Sequence, residues 1–174
     1  MIKANLALIM TTLAIGGTAG QAAAQSQQPG TTVKEKHGAW EIRCSTQNTD
    51  ACAMAQTGNN ASGQPVLQAL IRKTPGLKGP NNEEIAAVME VVTPIGVLIP
   101  AGVTVKIDGK EVGRGGYRYC SPQACVVQEP IQDQFVDQLK KGSGATLTII
   151  SAGNGETADV PISLSGFTKA YNGL

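Results

Sequence analysis

The sequence predicts a mainly β protein: an antiparallel β-sandwich with one short helix over about 130–141 and two local disulfides. Three observations carry that prediction. Short alternating or valine- and isoleucine-rich stretches recur between turns built on Gly, Pro, Asn and Asp. One segment alone departs from this pattern, with apolar residues at helical spacing. Four cysteines fall as two short-range pairs behind a secretory leader. Many short strands, frequent turns and a single helix together give the sandwich.

The leader occupies residues 1–24. Lys3 is its single charge, Ala4 to Ile15 form an uncharged apolar stretch, and Gly16, Gly17 and Gly20 break it. Ala22-Ala23-Ala24 offers small residues for cleavage, so the segment reads as a signal peptide rather than a membrane span. No cysteine stands at the cleavage point, which excludes lipid anchoring there. The 14 basic residues include Lys3, so the exported chain carries 13 against 13 acidic ones. That balance, with no basic cluster, argues against nucleic acid and against an anionic lipid surface.

Residues 25–37 are polar, contain Pro29-Gly30, and read as a flexible N-terminal arm before a single domain over 38–174. Ala39 to Cys44 starts the first strand, with Trp40 and Ile42 on one face. Ala51 to Gln56 and Val66 to Arg72 follow, separated by the Gly/Asn/Ser-rich loop 57–64. A second loop, 74–82, is punctuated by Pro75-Gly76 and Gly79-Pro80. Residues 85–100 are the most apolar stretch of the domain and read as two buried strands broken near Thr93-Pro94. Glu90, Pro94 and Gly96 interrupt it, so it is no membrane span.

Val103, Val105 and Ile107 alternate with polar residues up to Asp108-Gly109, a hairpin signal. Lys110 to Val112 returns, and Gly113-Arg114-Gly115-Gly116 reads as a turn. Tyr117 to Cys120 and Cys125 to Gln128 then pair across a disulfide. The helix follows. Pro130 stands at its first position, Ile131, Phe135, Val136 and Leu139 on its apolar face, Lys140 and Lys141 in its last turn, and Gly142 beyond. Strands resume over 146–151 and 158–164, and Phe167 and Tyr171 mark a tail that returns to the core as a short helix or turn.

Cys44 and Cys52 enclose seven residues, Cys120 and Cys125 four, all in polar turn-forming segments. Of three connectivities, Cys44–Cys52 and Cys120–Cys125 is the one each loop can close by itself. A four-cysteine zinc site or a redox C-x-x-C pair would need other spacings. No metal or cofactor is expected.

Four ordered motifs, Trp40 to Cys44, Gly96 to Asp108-Gly109, Tyr117 to Cys120 with Cys125, and Ser163 to Ala170, together resemble the invasion-associated locus B family of exported bacterial proteins. Trp40-Glu41-Ile42-Arg43-Cys44 is similar to its opening strand, and Gly96 to Val103, running to Asp108-Gly109, to its central segment. Tyr117-Arg118-Tyr119-Cys120 with Cys125 resembles its second cysteine pair. Ser163-Leu164-Ser165-Gly166-Phe167-Thr168-Lys169-Ala170 resembles its C-terminal signature. His37 and Ala39 stand where the family carries an aromatic residue and an acid, and Ala124 where it tends to carry glycine. The resemblance implies an alphaproteobacterial envelope protein, linked in some relatives to host-cell entry, and supplies no catalytic residue.

The chemistry read from the residues points the same way. His37 is the only histidine, with no nucleophile elbow or metal-binding partner, and a hydrolase built on it is unsupported. Tyr117 and Tyr119, two apart on a strand, are expected to share one face. Exposed, with Arg114 and Arg118 beside them, they would make a protein- or glycan-binding patch; buried, the favoured reading, they fill a core short of aromatics.

The expectation is a non-enzymatic periplasmic or secreted protein, or one associated with the outer membrane, that binds an envelope or host-surface protein. It has no nucleic-acid partner and no integral span in the exported chain. The alternative is an envelope-homeostasis factor, a small-ligand binder or chaperone-like accessory. A deep apolar pocket between the sheets would favour the latter.

Overall fold

A computed structural model describes residues 30–174, and the leader reading lies outside them. The strands are β1 Thr31–His37, β2 Trp40–Ser45, β3 Cys52–Asn59, β4 Pro65–Lys73, β5 Ala87–Thr93, β6 Val103–Ile107, β7 Lys110–Gly115, β8 Tyr117–Cys120, β9 Cys125–Ile131, β10 Gly144–Ile150 and β11 Thr157–Ser163. The helices are α1 Asp133–Lys141 and α2 Phe167–Asn172.

The strands form two antiparallel sheets. The first has seven strands in the order β1-β2-β3-β4-β5-β9-β8, the second four in the order β11-β10-β6-β7. Alternation does the sorting. Trp40 and Ile42 on β2, Met89 and Val91 on β5, Val103 and Val105 on β6, and Leu147 and Ile149 on β10 are buried while their neighbours are not. These inner faces meet in one core, closed at one end by Phe167, Ala170 and Tyr171 of α2. Both expected disulfides are present, each joining residues directly opposed on adjacent strands.

Four readings change. The segment expected as a free arm is in large part β1, paired antiparallel with β2 from Thr31↔Ser45 to His37↔Trp40, so the domain begins before residue 38. β1 is held by its ladder rather than by burial, and a hydrophobic pattern is therefore absent. The helix starts at Asp133, because Pro130 and Ile131 complete β9. Beyond Val127, β9 has β5 on one side and, among the described residues, no strand on the other, so proline breaks no second ladder there.

The apolar stretch 85–100 gives one strand, β5, followed by an irregular loop. Pro94 withholds an N–H and Gly96 has φ of +85°, leaving a lone bridge, Val97↔Ser151, and a single 3-10 turn over Ile99–Ala101. Last, Gly113 to Gly115 are extended residues of β7 rather than a turn. Gly115 allows β7 to meet the first sheet: a Cβ there would lie 2.5 Å from Val127 Cγ1 and 2.9 Å from Glu129 Cγ.

Candidate functional site

The tyrosines expected on one face are separated by a β-bulge. Tyr117 is opposite Val127 and Tyr119 is opposite Val126, with the register slipping between them. Val126 and Val127 are successive residues of one strand and face opposite ways, so their cross-strand partners do too. Tyr117 packs against the core, its oxygen 3.4 Å from Thr93 Oγ1, and burial raises its pKa against the lowering effect of that hydrogen bond. Tyr119 stands on the outer face, 57% exposed. Arg114 and Arg118 are exposed, on β7 and β8 respectively. The four residues form no common patch.

The opening and closing motifs do meet, for structural reasons. Trp40 Nε1 donates to the Ser163 carbonyl at 2.9 Å, and its ring meets Phe167 edge-on with centroids 5.3 Å apart. The buried Gln56 spans the two sheets: its Nε2 donates to Ser163 O and its Oε1 accepts from Ser163 N–H, both at 2.8 Å. Gly166, at φ +83°, lies against the His37 carbonyl so closely that no Cβ would fit. His37 itself hydrogen-bonds Glu35 at 2.9 Å, on the edge strand of the seven-stranded sheet. No group of three or more His, Cys, Asp or Glu side chains suited to a metal occurs among the described residues.

The concave site lies at the other side of the sandwich. A cleft of about 420 Å³ opens between β5 and β9 of the first sheet and β6 and β7 of the second, with α1 along its mouth. Its floor is apolar, made by Met89, Val91, Val103 and Val105, with Phe135 of α1 beside them. The edge strand β7 turns Gly113 toward it, opposite Val105, and a Cβ on Gly113 would meet only Phe135 Cε2, at 3.9 Å. The absent side chain is part of why the cleft exists.

One carboxylate stands in this wall. Glu129 is directly opposite Met89 and shares its inward face. Its Oε1 accepts from Gly116 N–H at 3.0 Å. Sequence reasoning missed this residue because it ended the strand at Gln128 and began the helix at Pro130. The signal was present in the alternation Cys125, Val127, Glu129, Ile131, three of which are buried.

Comparisons with known proteins, by sequence and by structure, agree with one another. The family model described as Invasion associated locus B (IalB) protein matches residues 40–174. An invasion protein B homolog of Brucella abortus (strain 2308) is 29% identical over 143 residues, covering 81% of this chain and 78% of the relative. Invasion protein B of Bartonella bacilliformis is 25% identical over 147 residues, 82% of this chain and 75% of the relative. The crystal structure of invasion associated protein b from Bartonella henselae superposes with a TM-score of 0.62 at 24% identity, covering 79% of this chain and 92% of that one.

Proposed function

The chain belongs to the invasion associated locus B family, and on that premise we propose that it is an exported envelope protein acting by binding, without turnover. Its site is the cleft between the two sheets. The observation that carries the reading is that cleft's form: an apolar floor in a space of about 420 Å³, with a small number of polar groups at its wall and mouth. Pockets of that size and make-up hold small molecules or single apolar groups. The tyrosine–arginine patch, the less favoured of the two readings of those residues, offers less, because the bulge in β8 divides it between two faces. Association with invasion belongs to this proposal through the relatives' names, and a place in the periplasm or at the outer surface through the secretory leader read in residues 1–24.

Gly113 supplies the test. Its φ is not in the left-handed region and its surroundings are open, so leucine fits there and fills the cleft. Protein recovered from its own cells and weighed under native conditions should retain a bound small molecule, and Gly113→Leu should lack it. Bound mass carried equally by both would place the ligand elsewhere. A partner protein cross-linked to the unaltered chain but lost on Tyr119→Ser would move the site to the outer face.

A further inference from the structure

We infer that the cleft selects an organic cation: a ligand with an apolar body and a protonated amine seated on Glu129. This rests on the reading of the cleft as the binding site and adds the chemistry of what it takes.

Glu129 faces inward beside Met89, next to the apolar floor. A carboxylate has about four lone-pair directions across its two oxygens. Here one oxygen receives the Gly116 N–H. Among the described residues no lysine or arginine forms an ion pair with Glu129. Arg114 is at the rim, but it lies between the inward-facing Gly113 and Gly115 and is opposite Thr104, so it belongs to the outer face of its sheet. Glu83 at the mouth adds a second negative charge, and Gln134 and Gln138 of α1 add neutral amides.

A half-buried charge without a counter-ion is held at a cost that a ligand can remove. An ammonium group donates to the open carboxylate oxygen and cancels the charge, forming the stronger, charge-assisted kind of hydrogen bond. An anion would meet repulsion from both carboxylates, and a neutral alcohol would leave the charge unpaired. The apolar floor takes the rest of the molecule.

The experiment uses three probes of one length, n-octylammonium, n-octanoate and 1-octanol. Each is titrated at neutral pH into the exported, disulfide-intact protein while its amide NMR spectrum is followed. Octylammonium should bind, moving the Gly116 and Gly113 amides, at least tenfold more tightly than octanoate. Glu129→Gln, which keeps an acceptor for Gly116 N–H, should remove that preference, with octanol still bound. Gly113→Leu should abolish binding of all three.

Octylammonium and octanoate binding alike on the unaltered protein would overturn the selection by Glu129 and leave the cleft standing. That comparison needs no variant. Undiminished octylammonium binding to Glu129→Gln, folded by its amide spectrum, would overturn that selection equally. Shifts confined to residues outside the cleft, or no shifts with any probe, would overturn the cleft reading and this inference together.

Discussion

At the scale of single residues, the positions that matter most are those where one side chain answers two elements. Gln56 is buried and makes two hydrogen bonds to the backbone of Ser163, so it replaces a ladder that the two sheets cannot form directly. Gln56→Leu removes both and leaves the Ser163 N–H without the partner that ties it to the other sheet. The expected cost is about 2–3 kcal/mol, read from the midpoint of chemical denaturation. Gly166→Ala adds both a left-handed strain and a collision with the His37 carbonyl, and should cost at least about 2 kcal/mol by the same measurement. Tyr117 and Tyr171 both have pKa values raised above the ordinary tyrosine range, first by burial, with Asp133 and Asp137 adding to the shift of Tyr171. The unfolded chain therefore gives up these protons first. Their contribution is complete below about pH 10, where a free tyrosine titrates, and is lost as pH rises through the folded values. Tyr117→Phe should flatten the alkaline fall in stability, and an unchanged slope would remove Tyr117 from that account.

At the scale of elements, each disulfide clamps two strands that already pair. Opening the Cys120–Cys125 loop releases chain entropy worth about 2 kcal/mol. Cys120→Ser should lower the melting temperature while the far-ultraviolet β signal persists. An unchanged melting temperature would make that bridge dispensable. The pairing was legible in the sequence because the loops are short and polar. The strands of the core were legible where valines and isoleucines alternate, as in Val103, Val105 and Ile107. Two elements were hidden for physical reasons. β1 buries little, so it leaves no periodic trace, and only the chain reversal at Gly38 brings it beside β2. β9 runs through Pro130, which reads locally as a helix start; the vacant side of that strand, a tertiary fact, permits it. The misplaced boundary also concealed Glu129, and with it the cleft. The bulge that separates Tyr117 from Tyr119 was equally invisible, since alternation by two assumes an unbroken register.

At the scale of the molecule, the sandwich protects each of its open strand edges in a different way. β1 carries Lys34 and Lys36, β7 carries Lys110, Glu111 and Arg114, β11 places Pro161 on its exposed side, and β8 is four residues long and bulged. Edge-to-edge pairing is disfavoured at each. The exported protein should accordingly show an intact mass lacking residues 1–24 with no free thiol. A mass that retains the leader, or reactive thiols in the folded protein, would reject the export and disulfide account.

The aromatic residues are spent unevenly. Trp40, Phe167 and Tyr171 cluster at one end, with the ammonium groups of Lys73 and Lys140 each 4.9 Å from the Tyr171 centroid. On the opposite side the sheets approach through glycine. The Gln56–Ser163 hydrogen bonds thus act as the spine of a book, and the contact of Gly115 and Gly116 with Glu129 as its clasp. At the fore-edge the chain itself crosses from one sheet to the other, since Gly116 alone separates β7 from β8, and the hydrogen bond from Gly116 N–H to Glu129 fixes that crossing. The carboxylate that fastens the clasp is also the one that faces the cleft. The oxygen that accepts from Gly116 is Oε1, so a ligand held in the proposed way, by the other oxygen, meets a carboxylate whose position the crossing strand has already set.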